Sequence, residues 1–172
     1  MVLFTGLFAK WRGGSVCPPA AAPKEALFAG MGGVVAIGVI AWLTDVSGYP
    51  LVLGSFGASC VLLFGFPESP FAQPRNVIGG HVLASFIGLV FLTLFGAHGW
   101  SMALAAGAAI SAMMLTRTVH PPAGSNPVIV MLSAPTWHFL LTPTLLGAAL
   151  LVGIALFFNN LPKDRRYPRY WK

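Results

Sequence analysis

Thr116-Arg117-Thr118-Val119-His120-Pro121-Pro122-Ala123-Gly124-Ser125-Asn126-Pro127 decides how many times this chain enters a membrane. The stretch carries an arginine, a histidine, three prolines and a glycine, and it lies between the apolar runs 101–115 and 128–132. Irregular backbone at membrane depth leaves polar groups without partners, so it is tolerated only against protein or a wet cavity. A segment of this composition is therefore either a loop outside the bilayer or the lining of a site within it.

Composition supports the membrane setting. Of 172 residues, 56% are hydrophobic and only 8% charged, where soluble domains carry about 25% charged residues. The chain reads as an integral membrane protein of one domain. Its charges are sorted. Eight of ten basic residues lie toward the ends: Lys10, Arg12, Lys24, Lys163, Arg165, Arg166, Arg169 and Lys172. Asp45, Glu68, Arg75 and Arg117 are the charges within 26–161. The +6 net charge thus speaks for orientation in a lipid bilayer rather than nucleic-acid binding, and it places both basic termini on the cytoplasmic side. The basic tails suit anionic headgroups. Cys17 and Cys60 form no disulfide framework and no metal spacing. Residues 1–9 are apolar without early basic residues, so no cleaved leader or transit peptide is expected there. The expected location is a bacterial inner membrane.

Four stretches read as long transmembrane helices: 26–44, 77–97, 99–116 and 139–158. The first, at 19 residues, rises about 28 Å, close to one hydrocarbon core. Two others, 50–66 and 121–132, are apolar but broken by glycine or proline and read as short or broken membrane segments. If both cross, Arg75 and Arg117 fall on the side of the basic termini, as the positive-inside bias prefers. The expected fold class is an all-α polytopic membrane protein with four long and two short segments. Six segments divide into two halves of three with opposite orientation. Gly54-Ser55, Pro67, Pro74 and Gly80 echo Gly124-Ser125, Pro135, Pro143 and Gly147 in order though not in spacing, which suggests a 3+3 inverted repeat. Small residues four apart (Ala29/Gly33, Gly80/Ala84/Gly88, Ala103/Gly107/Ser111) read as close helix packing and leave room for a homo-oligomer.

Candidate site residues follow from this layout. Arg117 offers a guanidinium fork suited to a planar anion, against the alternative of a headgroup anchor. His120 precedes two prolines and is held extended, as a gate with a donating or titrating imidazole or as a plain helix cap. Gly124, Ser125 and Asn126 before Pro127 read as a helix start whose amides would face an anion. Ser55, Gly57 and Ser59 offer a matching start in the first half. Arg75 and Asn76 flank Pro74, and His81 lies about a turn inside the next helix, where a polar side chain needs a partner. His98 and His138 read as turn and interface residues, and Asp45 and Glu68 as ion-pair or interface residues. No nucleophile–base pair, metal cluster or phosphate loop stands out, so neither an enzyme nor a cofactor is expected.

Several strings together resemble the HPP family of integral membrane proteins. They are Gly54-Ser55-Phe56-Gly57-Ala58-Ser59, Ser69-Pro70-Phe71-Ala72-Gln73-Pro74-Arg75-Asn76, Gly79-Gly80-His81, and Leu115-Thr116-Arg117-Thr118 running into His120-Pro121-Pro122-Ala123-Gly124. The resemblance covers 26–161, which becomes the HPP transmembrane domain between a cytoplasmic tail at 1–25 and a basic cytoplasmic tail at 162–172. The family is described as having four transmembrane helices, and the six-segment reading departs from that count. Some of its members resemble, in role, chloroplast and cyanobacterial nitrite transporters. The resemblance implies a transporter or channel for a small inorganic anion, with nitrite favoured. In that reading the helix starts 55–59 and 125–127 face each other, Arg75 and Arg117 attract the anion, and His81 or His120 donates a hydrogen bond or carries a coupled proton. A channel for a small neutral solute, and a non-transporting membrane sensor or partner subunit, are the alternatives.

Overall fold

In the computed structural model, residues 10–11 and 14–171 are described. The reading of 1–9 as no cleaved leader, together with Arg12 and Lys172, lies outside them. Among the described residues the regular structure is all helical. Helix α1, Pro23–Ser47, starts on a proline in its first turn and stops at Gly48, whose φ of 71° closes the helix with an N–H bond to the Thr44 carbonyl. The short α2, Phe56–Cys60, widens into a π turn over Val61–Gly65. A 3-10 turn at Pro70–Ala72 leads into α3, Pro74–Phe95. Helix α4 is Gly99–Leu115. The 3-10 turn Pro121–Ser125 runs directly into the short α5, Asn126–Ser133. Last come Trp137–Leu140, a broken turn at Leu141–Leu145, and α6, Leu146–Asn159.

Three stretches are long and apolar enough to cross a membrane: α1, α3 and 137–159. Helix α4 has 17 residues and the 56–65 segment 10, rises of about 25 and 15 Å. The span read at 139–158 falls within the third of these stretches, 137–159, but is not one continuous helix. Thr142 takes extended angles (φ −127°, ψ 122°) inside it, because a residue before proline is pushed out of the helical region and Pro143 follows.

The helices pack as two groups. Helix α1 packs on α2 and α6, around Ile40, Phe56, Leu63, Phe64, Leu151 and Phe158. Helix α4 packs on α3 and α5, with Ala84, Ala109, Met113 and Ala123 between them. Helix α3 also touches α6, joining the groups. Close approach within the second group depends on glycine. A Cβ on Gly88 would stand 2.9 Å from the Pro127 Cα, so α3 and α5 meet backbone to backbone. By contrast, Ala103, Gly107 and Ser111 face outward on α4 and pack on nothing within the subunit at Gly107.

One end of the molecule collects the cations. Arg165 bonds the Phe64 carbonyl at the end of the π turn and lies over the Phe28 ring near the start of α1. Arg169 bonds Gln73 through its backbone N–H and pairs with Glu68. Arg75, two residues from Gln73, bonds the Thr116 carbonyl beside Arg117. The segment 163–171, read from sequence as a tail for lipid headgroups, is folded back beneath the helices. Tyr167 is 3% exposed; its backbone N–H bonds Asn160 Oδ1 and its carbonyl accepts from Asn160 Nδ2.

Candidate functional site

The two short segments meet at a buried chain of side-chain hydrogen bonds. Ser55 Oγ donates to Asn126 Oδ1 at 2.8 Å. Asn126 Nδ2 lies 3.0 Å from His81 Nδ1 and 2.9 Å from Ser85 Oγ. Ser59 Oγ lies 2.9 Å from His81 Nε2 and 2.8 Å from His120 Nε2. His120 Nδ1 lies 2.7 Å from the Phe71 carbonyl oxygen. Thr144 Oγ1 donates to Ser85 at 3.1 Å. Ser55 is 4% exposed and Ser59, His81, Ser85, His120, Asn126 and Thr144 are 0% exposed.

Local structure explains how each group arrives. His120 is extended (φ −134°, ψ 100°) because Pro121 follows it, and the proline pair then opens a helical turn. His81 and Ser85 are four apart and share one face of α3, about 10 and 16 Å along it from Pro74. Phe56 packs its ring at 82° to His81, and the two imidazoles stand 4.9 Å apart between centroids.

The chain has a definite proton direction. A carbonyl oxygen can only accept, so His120 carries its proton on Nδ1 and Nε2 is its acceptor. Ser59 therefore donates to His120 and accepts from His81 Nε2–H. That leaves His81 Nδ1 as the acceptor for Asn126 Nδ2–H, and the Asn126 carbonyl oxygen as the acceptor for Ser55. One proton on each ring satisfies both imidazoles; Ser59 Oγ also lies 3.2 Å from the Ser55 carbonyl oxygen, and its single hydrogen goes to the shorter His120 contact.

Of the residues singled out from sequence, Ser55, Ser59, His81, His120 and Asn126 come together here. Arg75 and Arg117 are exposed at the cationic end, and Arg117 sits at a φ of 58°. Asn76 ties the first turn of α3 to the Val119 carbonyl at 2.9 Å, and its Oδ1 is buried without a partner. Gly57 faces outward, Gly124 is half-buried, and Ser125 is exposed with its hydroxyl on the Pro122 carbonyl. The open amides expected at 125–127 are corrected as well. The proline pair moves the helical start back to His120, so the Asn126 N–H is already spent on the Ala123 carbonyl. Side chains, not amides, form the meeting point.

Ser85, Thr144 and the Phe71 carbonyl were not read from the sequence. Ser85 carried a signal, since it lies one turn beyond His81. Thr144 carried none. The turn that presents Phe71 is itself gripped: Tyr170 bonds the Pro70 carbonyl, His120 that of Phe71, and Tyr167 that of Ala72. His98, read as a turn residue, closes a reciprocal cap with Ser101 at the start of α4.

Two transmembrane proteins of Dictyostelium discoideum are similar to this chain. One is 33% identical over 180 residues, covering 98% of this chain and 58% of its own length. The other is 38% identical over 129 residues, covering 70% of this chain and 45% of its own. The chain thus spans about half the length of these relatives. No solved structure matches it. The family model for the HPP transmembrane region matches residues 18–168, which include every member of the buried chain. This integral membrane protein belongs to the HPP transmembrane family.

Proposed function

We propose that the protein is a transporter or channel for a small inorganic anion, nitrite favoured, and that the solute passes where α2 meets α5. The observation that carries this reading is the Ser55–Asn126 and Ser59–His120 contact between the two short segments. Polar side chains inside a membrane protein are costly and mark solute pathways. A leucine core would hold two helices together without them. In this closed arrangement each donor is occupied by protein. A nitrite ion, an acceptor through both oxygens, replaces protein acceptors for the hydroxyls of Ser55 and Ser59 and the amide of Asn126 when the segments part. Arg75 and Arg117, exposed at the cationic end, draw the anion to the mouth.

Two features support the topology of that reading. Arg75, Arg165 and Arg169 gather at one end beside Arg117, which supports six traversing segments with both termini on the cytoplasmic side of a bacterial inner membrane. Helix α1 packs on α2 and α6 as α4 packs on α5 and α3, the pairing expected of two inverted halves that exchange their third helices.

A second reading, a channel for a small neutral solute, is favoured by one observation: among the described residues no cation enters the buried chain. Flux into liposomes separates the two. Nitrite uptake that follows membrane potential and falls when Arg75 and Arg117 are both changed to Ala supports the anion. Urea uptake indifferent to potential and to that change supports the neutral solute. No flux of nitrite, nitrate, formate or urea ends both and leaves a sensor or partner subunit.

A further inference from the structure

We propose that His81, Ser59 and His120 form a proton relay that conducts protons between the buried chain and the cationic end. The relay stands on the bonds alone and adds proton conduction to the transport reading. Two imidazoles share a single hydroxyl, at 2.9 and 2.8 Å from their Nε2 atoms. Their outward-facing Nδ1 atoms have different partners: an amide nitrogen at His81 and a carbonyl oxygen at His120. A hydroxyl is both donor and acceptor, so it passes a proton without carrying charge for long. The titratable group facing each ring is the other ring, and Arg75 and Arg117 are exposed. The one ion pair among the described residues, Arg169–Glu68, lies at the surface.

The transfer balances in protons. A hydronium-derived proton binds His81 Nδ1 once the Asn126 amide rotates and offers Oδ1 in place of Nδ2. His81, now carrying two protons, releases the one on Nε2 to Ser59 Oγ. Ser59 passes its own hydrogen to His120 Nε2. His120 then releases its Nδ1 proton to water at the Pro70–Ala72 turn, where Phe71 is 39% exposed. Both rings end neutral with their tautomers reversed. At His81 the reversed state is satisfied, because the rotated Asn126 accepts from Nδ1–H and donates to Ser55. At His120 it is not: a bare Nδ1 faces a carbonyl oxygen at 2.7 Å, acceptor against acceptor. That contact forces the ring and hydroxyl to reset. The asymmetry returns the relay to its resting tautomers after each transfer, and the turn Pro70–Ala72 is its end nearest the cations.

The test is potential-driven proton uptake into liposomes holding the full chain, with potassium and valinomycin setting the potential and a trapped pH dye as readout, without added solute. The wild-type protein is expected to acidify the lumen. Ser59→Ala is expected to lower the rate at least tenfold, and Ser59→Thr, which keeps the hydroxyl, to restore most of it. Should Ser59→Ala not fold, His120→Gln provides the same loss, since glutamine donates to Phe71 but cannot accept and release a proton. No acidification by the wild-type protein, or equal rates with and without the Ser59 hydroxyl, overturns the relay. A parallel nitrite uptake arm keeps the two ideas apart. Nitrite uptake without proton movement overturns the relay and leaves the transport reading. Proton movement without nitrite uptake supports the relay and overturns the choice of solute.

Discussion

A Cβ on Gly80 would stand 2.8 Å from the Cβ of His120. It would also stand 2.9 Å from the Thr118 carbonyl oxygen. The imidazole of His120 reaches Ser59 only because α3 has no side chain at this point. Gly80→Ala is expected to lower stability by about 1–3 kcal/mol, the usual cost of overpacking a filled site. Gly107→Ala, on the open face of α4 with nothing within 4 Å, is its control and is expected to be neutral or to gain up to about 1 kcal/mol as helix interior. Thermal unfolding of both variants in detergent checks the contrast. Equal loss at the two positions would deny that Gly80 is a contact glycine.

Asn126 joins both halves of the buried chain. Removing its amide leaves Ser55 Oγ–H and His81 Nδ1 without their partners. Asn126→Ala is expected to cost about 2 kcal/mol, since a stranded buried donor or acceptor costs roughly 1–3 kcal/mol. Because Ser55 and Asn126 act together, the double Ser55→Ala/Asn126→Ala change is expected to cost clearly less than the sum of the single changes. Denaturant titration of the four proteins gives the coupling; strict additivity would show that the pair is not an energetic unit.

Arg117 adopts a left-handed backbone, φ 58°, which favours glycine. Arg117→Gly is therefore expected to be more stable than Arg117→Ala by about 1 kcal/mol. Both changes remove the charge, and both are expected to lower nitrite flux. Flux equal to wild type in the well-folded glycine variant would take Arg117 out of the pathway.

The Tyr167 hydroxyl donates to the Ala72 carbonyl at 2.8 Å, and burial pushes its ionisation up from the ordinary value of 10. The unfolded chain gives up this proton first as pH rises. The contribution of Tyr167 to stability is accordingly complete below about pH 10 and lost above it, as the folded group holds a proton that the unfolded one has released. Tyr167→Phe is expected to cost about 1 kcal/mol at neutral pH for the lost bond and to remove this part of the alkaline decline. Thermal stability measured from neutral to alkaline pH checks both; an alkaline decline unchanged in the variant would count against the assignment.

The sequence made some of this legible and hid the rest for physical reasons. Helical spans show themselves through uninterrupted apolar length, so α1 and α3 were readable, and the proline pair announced an extended His120. The exchange of packing partners was not readable, because α1 meets α6 only through tertiary contact. Ser59 is 22 residues from His81 and 61 from His120, and no local spacing tells that one hydroxyl serves both. The arginines showed only as charge near apolar spans; that both stay exposed, outside the buried chain, is a matter of the fold. The final segment hid its fold: Tyr167 and Asn160 interlock and draw Tyr167 inward, while Lys163, Arg166 and Arg169 stay exposed.

Three successive carbonyls, of Pro70, Phe71 and Ala72, are held by Tyr170, His120 and Tyr167. Force applied to the C-terminal end is therefore transmitted to the imidazole in the core within a few bonds. An affinity tag or fluorescent reporter fused behind Trp171 hangs from that linkage, while one attached ahead of Pro23 does not. Any soluble module joined at this end gains a lever on His120, and a nanobody raised against the folded segment would hold the lever in one position.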